Sequence, residues 1–373
     1  MRTYLDHNAT TPVRPEAIVA VNDVLAQTGN ASSVHREGRA AKAVLERARG
    51  QVARLVGASA KDVTFTAGGT EANNIILKGA KVDRLLVSAV EHSCVLEAAR
   101  NSGKEWAEIP VTSDGLVDLT ALEALLTAGE GTALVSVMAA GNETGVVQPL
   151  REVADIVHGA GGWLHTDAVQ AAGKVPFNML LSGVDALTLS AHKLGGPAGA
   201  GALIAVPSIE IDALTHGGGQ ELRRRPGTEN LVGIAGFGAA AEAVMASSID
   251  CTVLRDELET GMRALHDNVV IFGEAAERLG TTTYFAVPGM NADMLLIAFD
   301  LAGIAVSSGS ACSSGKVTAS HVLAAMGVAP ELGKGAIRVS LGWTTTREDV
   351  TRFLGAFEEI CGRPKGSKQG EAA

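Results

Sequence analysis

From residue 14 to about residue 210, short apolar runs alternate with helix-patterned stretches, and this alternation constrains the fold more than any other feature. The runs are "VTFT" (63–66), "LLVSAV" (85–90), "ALVSVM" (133–138), "WLHTDA" (163–168), "ALTLSA" (186–191) and "GALIAV" (201–206). Each has the length of a buried strand. Stretches such as "LTALEALLTAG" (119–129) and "LREVADIVHGAGG" (150–162) separate most of them with apolar positions at helical spacing. A crossover helix returns the chain so that successive strands pair in parallel, which predicts an α/β fold with a mainly parallel sheet covered on both faces. Ligand sites in such sheets cluster at the carboxyl ends of the strands.

Flanking this region, "RPEAIVAVNDVLAQ" predicts a helix with Ile18, Val21 and Leu25 on its packed face. "AAKAVLERARGQVARLVG" predicts another, with Val44, Ala48, Val52 and Leu55 inward and a stop at Gly57. The run "LVGIAGFGAAAEAVMASSI" (231–249) is long and apolar, but its alanines, glycines and Glu242 suit a buried helix rather than a membrane span. Beyond about residue 250 the texture changes. "NADMLLIAFDLAG" (291–303) and "SHVLAAMG" (320–327) read as helices, "AIRVSLG" (336–342) as a strand, and "TREDVTRFLGAFEEI" as a helix opened by Thr346 and Asp349. The expected division is an N-terminal segment (1–13) packing on a small domain, a large domain (14–250), a smaller α+β domain (251–362) and a disordered tail (363–373).

Composition excludes several classes of function. A net charge of −10 disfavours a nucleic-acid backbone as partner, and 3% aromatic residues leave little for stacking on bases. Cys94, Cys251, Cys312 and Cys361 lie far apart, without a C-x-x-C pair, so neither a disulfide framework nor a zinc module is expected. A polar N-terminus without an apolar core predicts no signal peptide, and the expected compartment is the cytoplasm.

Several segments carry residues out of keeping with their surroundings. "VTFTAGGTEANN" is a strand, a Gly-Gly-Thr turn and a helix start, which reads either as a plain turn or as a phosphate cradle. Asp167 in "HTDAVQAAGK" stands at a strand end, either as a simple terminal carboxylate or as a partner for a cationic ring nitrogen. With His165 it makes only two potential metal ligands, too few for a site. Lys193 in "LTLSAHKLGGPAGAGALI" follows an apolar strand and precedes a glycine-rich loop. A lysine there is either a surface charge or, desolvated, an amine suited to covalent chemistry with a carbonyl. His92 in "VEHSCVLEAA" stands at another strand end. Arg223, Arg224 and Arg225 lie together in "HGGGQELRRRPGTEN", as an anion site or a subunit contact. Arg338 sits among apolar strand residues, where an unpaired charge is costly, so it needs a carboxylate from the protein or a ligand. Cys312 lies in "SSGSACSSGK", an unusual setting for a thiol that normally packs in a core.

Taken together and in order, "LDHNATTP", "NASSVHREGR", "FTAGGTEANN", "EHSCVL", "GNETGVVQP", "HTDAVQAAGK", "LSAHKLGGPAGAGAL", "GGGQELRRRPGTEN" and "SSGSACSSGK" resemble the cysteine desulfurases of the nitrogen-fixation and iron–sulfur-cluster type. These are class V aminotransferase relatives of pyridoxal-phosphate fold type I, and the resemblance runs from residue 5 to residue 345. It implies a seven-stranded large domain, pyridoxal 5'-phosphate as cofactor and a homodimer. Lys193 would hold the cofactor covalently, Asp167 would keep its ring nitrogen protonated, His92 would stack on the ring and Gln170 would bond the phenolic oxygen. Gly69, Thr70, Ser190 and His192 would hold the phosphate, with Thr228 supplied by the partner subunit. Asn142 and Arg338 would bind the carboxylate of L-cysteine, and Cys312 would take its sulfur as a persulfide, leaving L-alanine.

The implied sulfur acceptors are an iron–sulfur scaffold, to which Cys312 would lend a transient cluster ligand, or another acceptor protein. Cys312 would need to enter and leave the site, so about residues 307–318 are expected to be mobile. A selenocysteine lyase or an aminotransferase on the same fold would not require Cys312. A non-catalytic scaffold would be expected to lack Lys193 or Asp167. Three departures from the family pattern stand out: His7 replaces an aromatic residue, Ala31 a proline and Leu222 an arginine.

Overall fold

The computed structural model describes residues 2–308 and 320–362. Cys312 and the tail from residue 363 therefore lie outside the described residues, as does most of the 307–318 stretch expected to be mobile. Of that stretch Ser307 and Ser308 are described and both are buried, with Ser307 paired to the Arg338 backbone.

The chain enters through β1 (Thr3–Tyr4) and two helices, α1 (Pro15–Leu25) and α2 (Arg36–Leu55). It then builds a seven-stranded sheet from β2 (Val63–Thr66), β3 (Arg84–Ser88), β4 (Glu105–Ile109), β5 (Ala133–Ser136), β6 (Trp163–Asp167), β7 (Ala186–Ser190) and β8 (Gly201–Ala205). The order across the sheet is β2-β8-β7-β6-β5-β3-β4. Only β8 runs against its neighbours, pairing antiparallel with both β7 and β2. The connecting helices are α3 (Gly69–Gly79), α4 (Ser93–Arg100), α5 (Leu119–Ala128) and α6 (Leu150–Gly159). Six strands coincide with the apolar runs. The seventh, β4, is an edge strand of sequence EWAEI whose exposed and half-exposed side chains leave no apolar run to read.

α7 (Leu231–Ala246) packs against α1 and α2, and most of its residues are buried. Its glycines and alanines let the helices approach closely: a Cβ at Gly236 would stand 2.8 Å from Val21 Cγ2, and one at Gly238 2.7 Å from Ala48 Cα. This close approach corrects the expected face of α1. Of the expected residues Val21 is partly buried against Gly236, whereas Ile18 and Leu25 are 48% and 65% exposed and Ala17 and Val24 are buried in their place. On α2 the buried line includes Ala41, Leu45, Ala48 and Val52, with Val44 and Leu55 only partly covered. The stop is as expected, at Gly57 with φ +64°. No helix among the described residues is long and apolar enough to cross a membrane.

After α8 (Thr252–Leu265) comes a second sheet, of β9 (Val270–Ile271), β10 (Thr282–Ala286) and a later strand, β12 (Ile337–Ser340), in the order β12-β10-β9. Between these strands lie α9 (Ala292–Leu301), β11 (Ile304–Ala305), α10 (His321–Ala325) and α11 (Pro330–Gly333). α12 (Arg347–Cys361) closes the described chain and opens on the expected capping box of Thr346 and Asp349. β1 pairs in parallel with β11, and Asp6 bridges to Ser340, so the first residues lie along this second sheet.

Candidate active site

The carboxyl ends of the parallel strands open on one cavity of about 340 Å³. Asp167 ends β6, Ser190 ends β7, and the next three residues, Ala191–Lys193, form a single 3-10 turn that carries His192 and Lys193 to the rim. Gly195 follows with φ +86°. A side chain there would meet Arg14 Cγ at 2.6 Å, so glycine is required for the chain to turn away beneath Lys193. Gly69 and Thr70 open α3, His92 caps α4, and Asn142, Gln170 and Arg338 come from other sides. Of the residues named from the sequence, these ten all line the cavity. Thr228 does not; it is exposed on the 217–230 loop.

Asp167 is held from behind. Its Oδ1 accepts from Val169 N at 3.0 Å and its Oδ2 from Asn73 Nδ2 at 2.7 Å, so the carboxylate cannot swing. Its charge acts with burial to raise the carboxyl of Glu91, which is fully buried, well above the usual range. His92 Nδ1 accepts from Cys94 N at 3.2 Å, which in the neutral ring leaves the proton on Nε2. Lys193 Nζ donates to the carbonyls of Asn8 and Ala9, the latter at 2.8 Å. His192 is held neutral down to about 4, mainly by burial and also by the charge of Lys193. His165, by contrast, points into the sheet between Ser136 and Thr188 and takes no part in the cavity. The described residues hold no cluster able to bind a metal.

Arg338 is 3% exposed. Its Nη2 meets Asp6 Oδ1 at 2.8 Å, the expected carboxylate partner, and its Nη1 donates to Asn142 O at 3.0 Å. Its Nε is buried with no partner, while the residue contributes to the cavity lining. Of the three consecutive arginines, Arg225 pairs with Glu71 at 3.1 Å, Arg224 is half-buried and Arg223 is exposed. The loop that carries them passes through Glu221, Leu222 and Arg223 with φ of +43°, +59° and +63°. Buried Glu221 pins that conformation, accepting from Arg49 Nη2 at 2.8 Å and from Phe65 N at 2.7 Å.

Sequence reasoning passed over Asp6, Asn8, Asn73, Cys94 and Lys174. The polar run "LDHN" immediately after β1 is the one signal that pointed to the first two.

The geometry suits a flat, cationic heteroaromatic ring bearing a phosphate. For such a ring Asp167 would face the nitrogen, Lys193 would supply an amine, and the start of α3 with Ser190 and His192 would serve as an anion cradle. The class-V aminotransferase family model matches residues 3–353. The cysteine desulfurase IscS of Dictyoglomus turgidum is 39% identical over 371 residues, covering 96% of this chain and 94% of that protein. A cysteine desulfurase of Cereibacter sphaeroides is 41% identical over 371 residues, covering 96% and 95%. The X-ray structure of a NifS-like protein from Rickettsia africae superposes with a TM-score of 0.89 at 37% identity, covering 96% of this chain and 99% of that one. The chain belongs to the class-V aminotransferases and, within them, to the cysteine desulfurase family.

Proposed function

We propose that this cavity takes L-cysteine together with pyridoxal 5'-phosphate, passes the sulfur to Cys312 and releases L-alanine. The observation that carries this reading is the convergence of Lys193, Asp167, His92, Gln170 and Arg338 on one cavity from separate elements. The bound cofactor supplies an electron sink for negative charge at the substrate α-carbon.

The chain's own residues do the rest. Gly69, Thr70, Ser190 and His192 hold the phosphate, Asp167 stabilises a protonated ring nitrogen, His92 lies against the ring and Gln170 donates to its phenolic oxygen. Arg338 and Asn142 orient the substrate carboxylate, and Lys193 Nζ moves the α-proton. The Cys312 thiolate attacks the substrate sulfur. A sulfur–sulfur bond forms, the carbon–sulfur bond breaks with its electron pair left on carbon, and protonation of that fragment gives alanine. The persulfide sulfur then passes to an acceptor protein. The exposed position of Thr228 supports a homodimer in which it completes the partner's phosphate cradle.

Addition of pyridoxal phosphate to the parent chain should produce a visible absorption band that Lys193→Ala abolishes. A parent that stays colourless after incubation would overturn the reading.

A further inference from the structure

Beside the cavity, and outside the machinery described above, lies Lys174. Its Nζ stands 2.6 Å from Gln170 Oε1 and 3.0 Å from Asn8 Oδ1. An ammonium carries three donors and no acceptor, so both partners must turn an oxygen towards it. The oxygen and nitrogen of a side-chain amide are otherwise hard to tell apart, and here the charge decides. With Oε1 taken by Lys174, the NH2 of Gln170 lies on the other side of the amide, where Nε2 donates to Asn8 O at 3.0 Å, and Gln170 itself lines the cavity. Asn8 is fixed by the same rule: its Oδ1 meets Lys174 while its Nδ2 donates to Asn142 O at 3.1 Å and to Thr282 Oγ1 at 3.0 Å.

We propose that Lys174 is a positioning residue that holds the Gln170 amide with its NH2 towards the phenolic oxygen of the bound ring. The proposal rests on the pyridoxal phosphate reading. Without Lys174 the amide keeps only its bond from Nε2 to the Asn8 carbonyl, so it turns more readily to present Oε1, an acceptor that would repel a phenolate oxygen. The groups facing the ammonium are Lys193, Arg338, Cys251 and His7. Burial and the charges of Lys193 and Arg338 push it down to about 7, so the orienting charge is fullest below that pH. Few polar groups are placed to compensate it; the oxygens of Gln170 and Asn8 do so.

The test is a double-mutant cycle on cofactor affinity, read by absorbance titration of the apo-chain with pyridoxal phosphate at a pH below that value. Lys174→Met should weaken binding about tenfold in the parent, and by less than about twofold when Gln170 is already alanine. Lys174→Gln, whose amide still has a donor for Gln170 Oε1, should keep most of the affinity. An equal loss in both backgrounds, or no loss in the parent, overturns the proposal. Circular dichroism checks that each variant folds. Should Lys174→Met not fold, Gln170→Glu decides: it keeps the pairing with Lys174 but offers the ring no donor. It should bind at least as weakly as Gln170→Ala, and parent-like affinity would overturn the proposal. A parent chain that binds no pyridoxal phosphate removes the functional reading itself, and this proposal with it.

Discussion

Arg338 is held by Asp6 at Nη2 and by Asn142 at Nη1, so its guanidinium is fixed at the cavity lining before a substrate carboxylate arrives. Arg338→Lys keeps the charge and loses the fork. It should raise the KM for L-cysteine at least about tenfold while the cofactor absorbance stays that of the parent. An unchanged KM in a steady-state assay of alanine formation would place the carboxylate elsewhere. Lys193, Asp167 and Arg338 were legible in the sequence because a charge among apolar neighbours demands a reason. Asn8, Asn73 and Lys174 were not. Their roles come from partners such as Asn142, Asp167 and Gln170, which are distant in sequence or set by the fold; Lys174 is a charge among apolar neighbours, as Lys193 is, but its partners could not be read from the sequence. Cys312 was conspicuous for the opposite reason, a thiol where nothing apolar surrounds it.

Elements were read best where burial makes them apolar throughout. Six strands announced themselves in this way, while the edge strand β4 did not, since half-exposed positions carry Glu and Trp as readily as Val. Amphipathic faces were read less well. Periodicity offered α1 an apolar side through Ile18, Val21 and Leu25, yet of these only Val21 meets the glycine-rich surface of α7, and the buried residues are Ala17 and Val24. Ala17→Leu should therefore destabilise the protein by about 1–3 kcal/mol through overpacking, and Ile18→Ala by no more than about 0.5 kcal/mol. Denaturant titration of both variants checks this, and the reverse ranking would restore the face read from the sequence. The loop after β8 depends in the same way on one element contact. Glu221→Ala strands the buried Arg49 charge and should cost about 3 kcal/mol, measured by the same titration. A loss under about 1 kcal/mol would show that the left-handed turn is held by something else.

For the molecule as a whole, two histidines tie folding to pH. Burial holds His165 neutral down to about 3, and holds His7, against Thr11 and beneath Gly342, neutral down to about 4. In the unfolded chain each protonates near about 6.5, so below that pH the unfolded state binds protons that the folded state refuses. Their contribution is complete above about pH 6.5 and is lost as pH falls. Between about pH 7 and pH 5 each should lower the unfolding free energy by about 2 kcal/mol, with His192 adding to the fall and the raised Glu91 carboxyl opposing it. The check is the slope lost in His7→Asn, and an unchanged slope would contradict the buried neutral form. At this scale the reaction also needs a residue from outside the rigid sheet, a thiol that collects sulfur beside Lys193. The most direct measurement of that claim is mass spectrometry of the holoenzyme after a single turnover with L-cysteine, comparing the parent with Cys312→Ser. The parent should gain one sulfur atom on the peptide containing Cys312 and release one equivalent of alanine, whereas Cys312→Ser should do neither while retaining the cofactor band. Alanine formed by Cys312→Ser at the parent's rate would contradict the account.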